Sequence, residues 1–295
     1  MQRQLIRPRM KGEGLMGKKT PKDSAYIYSS TEVSRFYGIT VKGMEFYEKK
    51  GLVHPQRIGQ GNYRRFTLDD SYRLYLTRLL KNSGIGLPQT LDMLSADSLE
   101  HIEHKFSAEL DKMKEVLELQ QMRLDALLHM REMMCLSMNE EPFFEIVECD
   151  GFHRLFLRHF NGPHESNDRE TREYQHWNDF LPITAASLRF PLDECRIGAV
   201  SVDTQVGLIV EEKRFRVLGL SESSRTQYIP GGRFLHTIIR GDAQQMNDAA
   251  WLQPALHLMQ REGLRQTADA FTRFIFIVEE QLGCMRYDEA WFPIA

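Results

Sequence analysis

Two groups of side chains in this sequence have types and spacings that could do chemistry. The first comprises Thr40, Lys42, Glu45, Tyr47, Arg57, Tyr63, Arg64 and Arg65, with Arg35, Lys49 and Lys50 around them. Cations interleaved with hydroxyls and rings suit a duplex polyanion, because they neutralise phosphates and dock on sugars and base edges. Glu45 is the exception. A carboxylate repels phosphate, although it can accept a hydrogen bond from cytosine N4 or pair with Lys42, Lys49 or Arg57. The second group lies near the C-terminus, in "RYDEAWF". Strand alternation puts Tyr287, Glu289 and Trp291 on one face. A carboxylate between two rings suits a flat cationic ligand, through ion pairing and cation–π contact. Tyr228 is a further candidate for the same ligand. The bland alternative is an exposed edge strand with Glu289 in water.

No Ser-His-Asp order, phosphate-binding glycine loop or zinc spacing stands out, so no catalytic or metal-binding residue is assigned. No cofactor is expected, and the chain is not expected to be an enzyme. Cys135, Cys149, Cys195 and Cys284 are scattered and form no Cys-x-x-Cys pair, which fits free thiols in a reducing cytoplasm. The chain has no apolar run near membrane-spanning length, and its basic start lacks the apolar core of a signal peptide. A cytoplasmic protein with no membrane partner is therefore expected.

The elements that must position the first group are short. Thr31 can cap a helix through Val33 and Phe36, Gly38 breaks it, and Thr40 caps a second helix that Gly51 ends. Two helices around a tight glycine turn form a helix-turn-helix pattern. "HPQRIGQGNYRRF" then reads as a two-stranded wing. A third helix follows from the cap Thr67, with Leu74, Leu76, Leu79 and Leu80 on its buried side. A fourth begins near Pro88.

A long helix spans about Ser98 to Met138. Leu110, Met113, Leu117, Leu124 and Leu127 recur at steps of three and four, a heptad seam interrupted by Gln120 and Arg131. One helix cannot bury such a stripe alone, so a partner helix in a homodimer is expected, with packing on the chain's own C-terminal domain as the alternative.

From Pro142 the texture changes. "FHRLFLRHFNG" precedes a helix bearing Trp177, and "GGRFLHTIIRG" precedes one bearing Trp251. Each reads as the start of a strand-helix-strand-strand unit, and the pair as one domain with an antiparallel sheet. A cleft between two such halves is a natural ligand site. The two tryptophans read as core residues. The fold class is thus α+β, divided into a basic disordered arm (1–25), a winged helix-turn-helix (26–95), a coiled-coil dimerisation helix (96–140) and an effector-binding domain (141–295). Charge follows the same division. Residues 1–25 hold seven Lys/Arg and two Asp/Glu, residues 26–81 hold ten and five, and the whole chain is at −3. The basic head is matched to a polyanion and the acidic body is not.

At "VSRFYGITVKGMEFYEKKGLVHPQR…NYRRFTLDD…LLKNSGIGLPQTLDML" the sequence resembles the MerR family of bacterial transcription regulators, over residues 26 to about 95. Residues 143–295 resemble, more loosely, a gyrase-inhibitor-like (GyrI-like) effector domain of the multidrug-responsive members, mainly through "PGGRF", the tandem architecture and the last strand. The resemblance implies a homodimer on double-stranded promoter DNA that senses a small-molecule effector and acts on RNA polymerase indirectly, by changing how the DNA is twisted. Two departures fall inside the recognition helix: Glu45 stands where the family usually has Arg, and Gly43 where it has Thr. A third falls on the strand before the last, where related drug-binding domains carry a Glu and this chain has Thr272 or Arg273. That departure leaves room for neutral or anionic ligands. The alternative reading is a GyrI-like binding protein or hydrolase whose head has lost sequence-specific DNA binding.

Overall fold

The computed structural model describes residues 28–58, 63–139, 141–162, 168–280 and 283–295. The basic arm expected at 1–25 and the turn of the expected wing at 59–62 lie outside them. The chain divides into two compact units between Lys114 and Glu115.

The first unit holds β1 (Tyr28–Ser29), α1 (Ser30–Tyr37), α2 (Val41–Lys49), β2 (Gln56–Ile58), β3 (Tyr63–Phe66), α3 (Leu68–Asn82), α4 (Leu87–Leu94) and the start of α5 (Leu99–Ser137). The cap of α1 is Ser29 rather than Thr31. Ser29 Oγ accepts from the Glu32 amide at 3.3 Å, and Glu32 returns a carboxylate oxygen to the Ser29 amide at 2.7 Å. That reciprocal pair satisfies two amides at the helix start, and Thr31 is already inside the helix. Gly38, at φ +58°, closes α1 in the left-handed region. Thr40 caps α2 by accepting from the Gly43 amide at 3.1 Å. Thr67 and Asp70 form a second capping box on α3, and Asp70 also accepts from the His54 amide at 2.8 Å. One carboxylate therefore fixes both the start of α3 and the exit from α2.

β3 pairs antiparallel with β2 on one side and with β1 on the other. Val33, Met44, Val53, Phe66 and Leu74 form the core beneath, with Tyr47 against its edge. Leu76 and Leu79 do not share that burial. α3 buries Leu74, Thr77 and Leu80, and Leu76 lies two residues from Leu74, roughly 200° round the helix. Both leucines are exposed. Along α5, Leu110, Leu117, Leu124 and Leu127 are exposed, Leu117 at 70%. Met113 departs from that seam: it packs on Leu80, Ile85 and Met93 inside the first unit.

The second unit contains the rest of α5, then β4 (Phe144–Cys149), β5 (Phe152–His159), α6 (Asp168–Asn178), β6 (Ala185–Phe190), β7 (Gln205–Glu211), α7 (Glu212–Val217), β8 (Thr226–Ile229), β9 (Gly232–Asp242), a 3-10 turn at Ala249–Leu252, α8 (Gln253–Glu262), β10 (Ala270–Glu280) and β11 (Gly283–Pro293). The strands form one antiparallel sheet in the order β4-β9-β11-β10-β6-β7-β5-β8. Outward from the β6–β10 pair the order is β7, β5, β8 on one side and β11, β9, β4 on the other, so the halves match. Each half is built on a strand, a helix and two strands, β5-α6-β6-β7 and β9-α8-β10-β11, with β8 and β4 added at the outer edges. Trp177 of α6 packs with Leu155, Leu208 and Phe215, and Trp251 ahead of α8 packs in the cluster of Leu235, Ile239 and Phe292. Burying an indole is worth several kcal/mol (roughly 25 cal/mol per Å² over 150–250 Å²).

The join between the halves is narrow. β6 and β10 share two residue pairs, Phe190 with Ala270 and Arg189 with Phe271. The next amide, that of Leu188, donates to Thr272 Oγ1 at 2.9 Å. Beyond it no backbone pair joins the two strands, and β10 carries a bulge between Phe274 and Phe276, which bends a strand and raises its twist. No helix among the described residues is long and apolar enough to cross a membrane.

Candidate functional site

In the first unit, α2 divides its charges by face. Glu48 takes Arg57 at 2.9 Å and Arg64 at 2.8 Å, and Glu45 takes Arg64 at 3.3 Å. Glu45 is thus turned to the β3 strand, and its partner is Arg64 rather than Lys42, Lys49 or Arg57. Arg64 in turn is drawn against α2 by two carboxylates, not extended toward a polyanion, and Arg57 is held by Glu48. The reason is proximity. Positions 45 and 48 are neighbours on one face of a helix, and the β2–β3 ladder sets Arg57 opposite Arg64 beside them. Lys42 and Lys49 are exposed and make no ion pair with any described residue; Lys50 sits 5.8 Å over the Phe46 ring. Tyr63 is also exposed, Arg65 is half-buried in the ladder, Tyr47 leans on the core, and the Thr40 hydroxyl serves the helix cap. Glu48 escaped the sequence reading. Its signal was its spacing of three from Glu45.

In the second unit, a cleft of about 840 Å³ is lined by Tyr228, Glu289 and Trp291, with Glu145, Phe152 and His236. Three of the four expected ligand residues therefore meet. Tyr287 does not join them. It stacks on Phe276 at 4.5 Å and lines a separate cavity of about 530 Å³ near Leu136 and Phe143. Two residues along a strand is about 6.8 Å, enough to carry its ring into the next cavity. Tyr228 donates its hydroxyl to Glu212 at 2.9 Å. Trp291 stacks with His236 at 5.3 Å and with Phe271 at 5.4 Å, and the Arg273 guanidinium lies 5.3 Å from its ring.

Glu289 is not the free carboxylate that a cation would need. It is 2% exposed and fully engaged: one oxygen meets His236 Nε2 at 2.8 Å, the other His129 Nε2 at 2.9 Å, and Arg273 approaches to 3.8 Å. Burial alone would raise its pKa. The hydrogen bonds from His129 and His236 and the Arg273 charge outweigh burial and hold it down to about 2. Burial likewise pulls the His236 pKa down, but Glu289 and Glu145, the latter at 2.7 Å from Nδ1, outweigh it and raise the pKa. The site is a buried ion cluster already in internal balance. His129 and His236 were not assigned from the sequence; of the two residues named at the place of the related domains' Glu, Arg273 and not Thr272 lines the cleft. His236 and Arg273 stand opposite Trp291 and Glu289 in the ladders, and that register was not legible. Burial, with Asp150 beside it, pushes the Cys149 thiol up to about 11, which leaves it inert. No His, Cys, Asp and Glu cluster suited to a metal ion occurs among the described residues.

A family model described as MerR HTH family regulatory protein matches residues 28–97. The HTH-type transcriptional regulator CueR of Salmonella typhi is 32% identical over 108 residues, which span 35% of this chain and 78% of that protein. The chain belongs to the MerR family. This MerR regulator is also similar to solved structures. An EcmrR–DNA complex in EcmrR-RPo aligns with 88% of the chain and 97% of its own at 15% identity, with a TM-score of 0.33. A hydrolase from Listeria innocua aligns with 53% of the chain and 93% of its own at 12% identity, with a TM-score of 0.34. At these scores the likeness is slight.

Proposed function

We propose that this MerR regulator is a one-component, effector-responsive transcription factor. A head at 26–95 holds double-stranded promoter DNA, a helix at 96–140 joins two copies, and a GyrI-like domain at 141–295 takes a small molecule in the cleft of Tyr228, Glu289 and Trp291. The effector acts on RNA polymerase indirectly, by changing how the two heads hold the DNA between them.

The observation that carries the DNA-binding part is the sorting of charge on α2. Its two carboxylates face the hairpin arginines, while Lys42 and Lys49 point to solvent with no carboxylate partner among the described residues. The carboxylate at position 45 gave the alternative of a head without DNA binding its main support, and its pairing with Arg64 weakens that objection. The exposed leucines of α5 support the dimer. Matched half-domains around an aromatic-walled cleft support effector binding.

The test is a titration of the purified protein against duplex from its own upstream region over a salt series. Binding whose logarithm falls linearly with the logarithm of salt is expected. Lys42→Ala and Lys49→Ala should each flatten the slope by about one. A salt-independent or absent shift would remove the reading.

A further inference from the structure

Beside the cleft, and sharing Glu289 and Arg273 with it, lies a second cavity of about 460 Å³. It occupies the gap where β6 and β10 stop pairing. Ala185 and Ala186 line it from β6, Arg273, Phe274 and Ile275 from β10, and the α5 residues Ala126, His129, Met130 and Met133 from the helix. Its size falls within the roughly 300–1,000 Å³ of small-molecule sites. Its walls are mostly apolar, with Met130, Met133, Leu181, Ile183 and Leu208 among them. Methionines adapt to ligands of varied outline.

The charged groups at its end are unequal in what they have left to give. Glu289 has both oxygens taken by histidines. Glu211 lies among Lys213 at 3.1 Å, Arg214 at 3.3 Å and Arg273 at 3.3 Å. Glu211 Oε2 is buried and makes no hydrogen bond, but three cations within 3.3 Å balance its charge, so neither carboxylate offers net charge to an incoming cation. Arg214 meets Glu211 through Nε alone, and its two terminal nitrogens make no hydrogen bond to a described residue. A half-used guanidinium at the end of an apolar cavity is a fork for a planar anion or acceptor.

We infer that this cavity binds an apolar, flat molecule carrying a carboxylate or similar anionic acceptor, with the anion on Arg214 and the apolar body between α5 and the gap in the sheet. The inference goes beyond the cleft reading and does not require it.

Three probes of one shape test it on the full-length protein by titration calorimetry: naphthoate, naphthylmethanol and naphthylmethylammonium. Naphthoate is expected to bind tightest and the ammonium weakest. Arg214→Gln should weaken naphthoate by about tenfold or more, the scale of a charged hydrogen bond, and leave naphthylmethanol nearly unchanged. Met133→Trp should fill the cavity and weaken all three. The proposal is overturned if the ammonium binds as tightly as naphthoate, if no probe binds, or if Arg214→Gln weakens all three alike. Tyr228→Ala separates this cavity from the cleft. Loss of naphthoate binding in that variant would put the probe in the cleft, overturning the proposal while leaving cleft binding intact.

Discussion

Glu48 does more for the head than Glu45. It holds two arginines while Glu45 shares one, and the Glu45 side chain is 44% exposed. Glu45→Gln should therefore cost less than about 1 kcal/mol, as exposed pairs do. Glu48→Gln leaves Arg64 partly buried and should cost roughly 1–3 kcal/mol. It should also free Arg57 and Arg64, raising non-specific duplex affinity and steepening the salt slope by up to about two. Denaturant melts and a salt titration of the two variants check this. The ion cluster of the second unit makes a pH prediction. Glu289 has its pKa depressed, so its stabilisation is present above its unfolded value and is lost as pH falls toward 2. His236 has its pKa raised, so its stabilisation is full below its unfolded value and is lost as pH rises through the raised one. Resistance to urea should peak at about pH 4.5–6.5, between the ordinary values of the two groups, and decline on the alkaline side. His236→Gln should remove that alkaline decline. Alternation along the last strand was enough to put Glu289 and Trp291 on one face. Nothing in the sequence showed that histidines from α5 and β9, far along the chain, would reach the carboxylate first.

At the scale of elements, local signals were the most legible. Gly38, Thr40, Gly51 and Thr67 act within a turn of themselves, and each stands at the helix end its chemistry suits. Ser29 displaced Thr31 because Glu32 offers its reciprocal bond at a spacing of three. Burial was less legible where two neighbours compete for a helix face. Met113 has the period of the α5 seam, yet the Leu80–Ile85–Met93 cluster takes it. Two variants of one helix should accordingly separate. Met113→Ala should destabilise the head by about 2 kcal/mol, the low end for a core methionine, without changing the oligomeric state. Leu117→Asp with Leu124→Asp should leave the fold intact and convert dimer to monomer in sedimentation, because charge at a buried seam costs several kcal/mol. A wild type that sediments as monomer would end the coiled-coil reading.

On the scale of the molecule, the second unit is two copies of one plan, and each copy buries a tryptophan, Trp177 near the end of α6 and Trp251 in the turn before α8. Trp177→Ala and Trp251→Ala should each cost about 3–5 kcal/mol, read from denaturant midpoints. The repeat was visible because each copy opens with an apolar strand followed by a helix with a tryptophan in or near it, although Trp251 lies in the turn before α8 and not in the helix expected to bear it. How the copies meet was not visible, since it depends on contacts made only in the fold, Thr272 with the Leu188 amide and Asp269 with Arg189 and the Leu192 amide. Thr272 Oγ1 accepts from the buried Leu188 amide and donates to Asp288 at 2.6 Å, standing in for the ladder where β6 and β10 part. That arrangement sets how isotope enters the molecule. With two backbone pairs, the Thr272 hydroxyl and the Arg189–Asp269 ion pair closing the join, it should be the first interior place in the sheet to take up deuterium, and residues 185–190 should label together with 270–274. Thr272→Val leaves the Leu188 amide without an acceptor, at a cost of about 1–3 kcal/mol. Its exchange should then speed up while β9 and β11, locked together over nine residue pairs, keep their hydrogens.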